Sequence, residues 1–196
     1  VIDLLPSDAV AHLKTCISEK RYEHCLGVME TAFDLADAWG QFKIDRTHLA
    51  WAALFHDCAK ELNKEQRAAL PTNGRVVYGK ELMRLPTLAH APHGALMMKN
   101  TFNIGDYGVL MAVAYHPTGH PNLTPLGWIV YLSDYLEPGR SYFDFREDYL
   151  ETTRKDPLAG LRLVSDSKIK SVQDKGRLVH PIAYEVKTYL DSLQKL

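Results

Sequence analysis

Apolar residues recur every three or four positions along most of this chain, and no segment alternates convincingly with period two. A helix turns every 3.6 residues and a strand every two, so the pattern predicts an all-α fold. Punctuation residues divide it. Ser7 after Pro6 is placed to cap a first helix over 8–19, and a second runs over 21–39 and stops at Gly40. Asp45 is placed to cap a third, read over 46–62. Pro71, Gly74, Gly79 and Pro86 then break the pattern into turns around a short helix. Helices follow over 92–102, opened by Pro92, over 106–116, and over 125–136, opened by Thr124-Pro125. Two more, over 157–176 and 181–194, complete the chain. A length of 196 residues suits a single domain.

Charge and cysteine content exclude several classes. There are 23 basic and 24 acidic side chains without a run of one sign, so a nucleic-acid partner is not expected. Three cysteines and no CxxC pair argue against a disulfide framework or a thiolate zinc site, and point to a cytoplasmic protein. No apolar run approaches the roughly 20 residues of a membrane helix. The start "VIDLLPSDAV" has no signal-peptide pattern, and a few native residues including the initiator Met are expected before Val1.

The informative residues interrupt the apolar stripes. Leu49, Ala52, Ala53 and His56 follow i, i+3, i+4, i+7, so His56 continues an inward face. Val109, Ala112, Val113 and His116 repeat the arrangement, and His24 begins the stripe of Val28, Ala32 and Leu35. Asp134 lies on a segment with hardly any other charge. One inward histidine is ordinarily satisfied by a hydrogen bond, with a neighbour such as Asp57 at the surface. Four helices each presenting His or Asp inward call for one shared explanation, and a transition-metal ion bound by imidazole and carboxylate supplies it.

The flanks of these residues carry a resemblance. "RYEHCLGV" (21–28), "ALFHDCAKEL" (53–62), "HAPHGA" (90–95), "AYHPTG" (114–119), "VYLSDYLEPGR" (130–140) and "GRLVHP" (176–181) occur in that order. Together they resemble the YqeK branch of the HD superfamily of metal-dependent phosphohydrolases. The resemblance implies an HD-domain helical bundle: an N-terminal helix over 1–20 packed on the core, a core with the metal site over 21–140, and an extension over 141–196 completing the nucleotide pocket. It implies symmetrical cleavage of diadenosine tetraphosphate to two ADP by attack of a metal-activated water on an inner phosphate. The metal would be iron, with manganese or cobalt equally suited by ligand type, and its ligands His24, His56, Asp57 and Asp134. Asp57 would also orient or deprotonate the water. Lys60, His90 and His116 would assist the reaction, His90 and His116 alternatively serving a second ion. Gly27, Asp57, His90, His116, Asp134, Arg140 and His180 would contact the nucleotide. Lys60 is expected on the same side of the third helix as His56 and Asp57.

Three positions depart from the family pattern. His93 stands where an apolar residue is usual, one turn from His90; Pro92 and Gly94 align His90 with the family histidine. "HPTG" replaces "HTTG", and "LSD" replaces "LAD". Bland readings also stand: Lys60 as a solvated charge, Arg140 as a helix-end cation, His180 as a pre-helix residue, and Trp39, Trp51 and Trp128 as core. Other HD-type nucleotidases or phosphodiesterases, and a non-catalytic nucleotide-binding module, remain as alternatives. No "GYP" tripeptide is present, which disfavours cyclic-dinucleotide chemistry. A homodimer through an apolar patch stays open.

Overall fold

A computed structural model describes residues 2–70, 78–140, 145–194 and 196. Among them are ten α-helices and no strand: α1 (Ser7–Cys16), α2 (Glu19–Ala38), α3 (Arg46–Phe55), α4 (Lys64–Ala69), α5 (His90–Thr101), α6 (Tyr107–Tyr115), α7 (Pro125–Leu136), α8 (Arg146–Lys155), α9 (Pro157–Asp174) and α10 (Pro181–Ser192). Short 3₁₀ turns cover Ile2–Leu4 and Lys80–Arg84. The turns read at Pro71 and Gly74 lie outside the described residues. Within them, no helix is long and apolar enough to cross a membrane.

The centre is built from α2, α3, α6 and α7, packed pairwise. Val28, Ala32 and Leu35 of α2 meet Leu49, Ala52 and Ala53 of α3 and Val109, Ala112 and Val113 of α6 in one buried cluster. Nearly every residue of α7 from Leu126 to Leu136 is buried, as befits a helix that is apolar all round. On its flanks, α5 lies against α6, and α8, α9 and α10 pack in succession, with α9 returning onto α7.

Local chemistry explains most boundaries. Asp45 accepts from the His48 amide at 2.8 Å, and Thr124 from the Gly127 amide at 3.4 Å with Pro125 in the first turn. Several ends differ from the sequence reading. Pro6, not Ser7, is the N-cap of α1, and no side chain caps it. α5 starts at His90, two residues before Pro92. α4 and α8 are additions. α4 carries a reciprocal capping box between Asn63 and Gln66. α8 is strongly charged and buries only Leu150 and Thr153, so its sequence has little apolar periodicity to read.

Gly160 sets how closely α8 and α9 approach. A Cβ there would lie 2.7 Å from the Thr153 Cα, backbone that cannot swing away. Gly160→Ala is expected to destabilise the fold by about 1–3 kcal/mol, read as a lower urea midpoint. Gly105, where a Cβ meets nothing within 4 Å, is the control and should change little.

Candidate metal centre

Three helices stop at one place. α3 ends at Phe55, α6 at Tyr115 and α7 at Leu136. His56 and His116 are the C-caps of the first two. Each turns its Nδ1 back to the carbonyl three residues before, Ala53 and Val113, at 2.8 Å. A carbonyl only accepts, so both Nδ1 atoms carry the proton and both Nε2 atoms present a lone pair. The third helix was expected to run to Leu62. Instead the chain leaves α3 in tight turns, with the Cys58 amide on the Phe55 carbonyl and the Lys60 amide on the Asp57 carbonyl. Those turns, not a continuing helix face, bring Lys60 beside Asp57.

His24, on α2, faces the same point. Its Nε2 lies 3.3 Å from His56 Nε2 and 3.3 Å from Asp134 Oδ1. Asp57 Oδ2 is 3.7 Å from His56 Nε2 and 3.9 Å from His24 Nε2, and Asp134 Oδ1 is 3.7 Å from His56 Nε2. Donor atoms about 2.1 Å from an ion stand about 3.0 Å apart when adjacent and about 4.2 Å when opposite, and the observed spacings fall in that interval. Groups that only accept therefore face one another across a buried gap, which a cation relieves. Burial favours neutral His24, but hydrogen bonds to Asp134 and Glu137 hold its imidazolium and raise its pKa.

The other oxygen of Asp57 faces a second group. Oδ1 lies 3.1 Å from His90 Nε2, 3.3 Å from His116 Nε2 and 3.6 Å from Lys60 Nζ. It is buried and accepts no well-directed hydrogen bond. Nε2 of His90 and His116 are 3.2 Å apart, and Lys60 Nζ reaches His90 Nε2 at 2.9 Å. His56, Asp57 and His116 form a second set of ligand-type atoms within 4.8 Å of one another, as do His24, His56 and Asp134. Asp57 is 2 % exposed and His56 fully buried. Burial drives the pKa of His56 down to about 3 and of His90 to about 4, against the pull of Asp57. Burial opposes ionisation of Asp57 too, yet the imidazoles of His56, His116 and His90 hold it well below the carboxylate range. Asp134 is held down likewise, by His24, Arg140 and Lys168.

Around this core stand residues the sequence reading did not single out. Arg21, one turn before His24, donates to Asp57 Oδ2 at 2.9 Å. Lys168 of α9 is partly buried; its Nζ donates to the carbonyls of His116 (3.1 Å) and Tyr131 (3.3 Å) and lies 3.9 Å from Asp134 Oδ2. Burial lowers its pKa to about 8, against the pull of Asp134. Glu137, one turn after Asp134, meets His24 Nδ1 at 3.0 Å. Spacings of three residues from His24 and Asp134, and a lysine on the buried stripe of α9, were the available signals. Arg140 donates to Asp134 Oδ1 at 2.7 Å. Gly27, His24 and Arg140 line an open cleft of about 810 Å³. His180 caps α10 and lies apart from the cluster, in the wall of a cavity of about 180 Å³ that also touches Tyr131, Thr118 and Lys168. His93 bonds the Ala89 carbonyl at 2.5 Å, so it is His90 that joins the cluster. Trp39, Trp51 and Trp128 are buried in the core.

The HD-domain family model matches residues 21–139, from the helix of His24 to the turn after Asp134. The chain belongs to the HD-domain family. Within that family it is 39 % identical over 139 residues to a protein of Halalkalibacterium halodurans named bis(5′-nucleosyl)-tetraphosphatase, symmetrical; the match covers 68 % of this chain and 70 % of that one. A protein of Bacillus subtilis with the same name is 36 % identical, over 69 % of this chain and 70 % of its own length. A crystal structure from Clostridium acetobutylicum, described as a predicted HD superfamily hydrolase involved in NAD metabolism, superposes with a TM-score of 0.84 at 36 % identity, covering 96 % of this chain and 98 % of the other. The HD fold of this chain is thus shared over nearly its whole length.

Proposed function

We propose that this HD-domain protein is a cytoplasmic hydrolase that cleaves bis(5′-nucleosyl)-tetraphosphates symmetrically, diadenosine tetraphosphate giving two ADP. The observation that carries the reading is the convergence of His24, His56, Asp57 and Asp134 on one buried gap, in a chain similar over two thirds of its length to proteins of that name. Those four residues would hold a transition metal, iron in our reading, with manganese or cobalt also suited to the donor set. Bound there, the metal supplies Lewis-acid polarisation of a phosphoryl oxygen and a lowered pKa for water.

The remaining work falls to the chain. Asp57 Oδ1, ionised and without a directed hydrogen bond, orients the attacking water and takes its proton. Lys60 and the His90–His116 pair stand on that side and offset charge on the equatorial oxygens of the attacked phosphorus. Arg140, at the cleft, offers a planar fork to the polyphosphate. Symmetrical cleavage places the attack at the phosphorus second from one nucleoside, with ADP leaving as the bridging P–O bond breaks. The apolar cavity beside His180 and Lys168 receives one nucleoside, and the cleft of Gly27 and Arg140 leaves room for the rest.

The test is product analysis: metal-replete protein with diadenosine tetraphosphate, chromatography of the nucleotides, and His56→Ala alongside. ADP alone from the wild type and no turnover by the variant is the expected result. ATP with AMP would mean an asymmetric cut and would refute the proposed position of attack.

A further inference from the structure

We propose that Glu137 is the positioning residue that holds His24 in the one tautomer able to bind the ion. The proposal rests on the metal-centre reading but not on the identity of the substrate.

Neutral imidazole has one proton and two nitrogens, and His24 has a carboxylate at each. Asp134 Oδ1 lies 3.3 Å from Nε2, and Glu137 Oε1 lies 3.0 Å from Nδ1. A proton left on Nε2 blocks the ion. His56 and His116 avoid this with a backbone carbonyl at Nδ1; His24 sits within α2, where the backbone carbonyls are committed to the helix, and the device has to come from elsewhere. Glu137 supplies it from the end of α7, across 113 residues of sequence.

The carboxylate is itself fixed. Glu137 is 4 % exposed. Its Oε2 accepts the Gly139 amide at 2.6 Å, and Arg140 Nε lies 3.8 Å from Oε1. Gly27, one turn after His24, makes room: a Cβ there would fall 2.8 Å from Glu137 Oε2. The glycine in "RYEHCLG" and the glutamate in "DYLEPG" thus fit together as one arrangement.

The substitutions have distinct consequences. Glu137→Ala removes the acceptor. Glu137→Gln keeps the shape but cannot accept from both His24 and the Gly139 amide; with its oxygen on Gly139 it turns an NH₂ toward Nδ1 and favours the wrong tautomer. Gly27→Ala displaces the carboxylate while improving the helix, since alanine is the better helix former, so a loss of ion affinity there does not come from weaker folding.

The experiment titrates each protein with Zn²⁺ alone against a competing chelator, with circular dichroism as the folding control. Glu137→Ala and Glu137→Gln are expected to bind about 10- to 100-fold more weakly than the wild type, and Gly27→Ala to weaken in the same direction. His24→Ala and His24→Ala/Glu137→Ala should bind alike, because the effect passes through His24. In zinc-loaded protein, proton–nitrogen correlation spectra should show a protected His24 Nδ1–H that Glu137→Ala loses to exchange. Wild-type affinity in Glu137→Ala, or its full penalty on the His24→Ala background, would overturn the proposal. No nucleotide is present, so failure to hydrolyse the dinucleotide refutes the substrate reading and leaves this one standing.

Discussion

Asp57→Asn is expected to lower kcat/KM for diadenosine tetraphosphate by about three orders of magnitude or more. The amide has nearly the shape of the carboxylate but loses on both of its sides. Toward His24 and His56 it removes a charge from the donor set. Toward His90, His116 and Lys60 it removes the anion that faces the Lys60 ammonium and the two imidazoles. Whichever way it turns, its NH₂ faces either Arg21 or the His90–Lys60 side, where donors already stand. Steady-state kinetics with the metal-to-protein ratio measured on the same sample checks this. A variant that kept its metal and lost less than tenfold in rate would contradict the double role given to Asp57.

Acid should weaken the metal-free protein well above the range in which carboxylates titrate. His56 and His90 have folded pKa values of about 3 and about 4, depressed by burial from an ordinary 6.5. Below pH 6.5 the unfolded chain takes up protons that the folded chain refuses, so stability falls as pH falls. Between pH 7 and 5 each histidine contributes a loss of about 2 kcal/mol. His24 is shifted upward and so works the other way, its contribution being present at low pH and lost as pH rises. It offsets part of the loss from His56 and His90, and the net change expected is a fall in stability from pH 7 to 5. Asp57 and Asp134, held low, add a further loss only below pH 3.8. Urea midpoints of chelator-treated protein at pH 7 and 5 measure it; equal midpoints would mean that the imidazoles are not buried as neutral groups.

The sequence was most legible where a polar residue continued an apolar stripe. His24, His56, His116 and Asp134 each stand on such a face, and the fold brings all four to one place. Helix ends were harder. α3 stops seven residues early because the His56 ring takes the Ala53 carbonyl that a continuing helix would offer to the amide of Asp57. That competition lies between side chain and backbone and leaves no mark in hydropathy. α8 escaped because it buries so little. Nothing in the sequence alone ties Arg21, Glu137 and Lys168 to the cluster; their partners lie 36, 113 and 34 residues away, and only the packed bundle brings them together.

The C-terminal ends of α3, α6 and α7 meet at the cluster. Such an end carries about half a negative charge, and the three add to the ionised Asp57 and Asp134. Arg21, Lys60, Arg140 and Lys168 stand around the same point and offset that charge from outside. On the function proposed above, an ion held between the carboxylates would draw the polyphosphate closer, and by reciprocity the polyphosphate would tighten the hold on the ion.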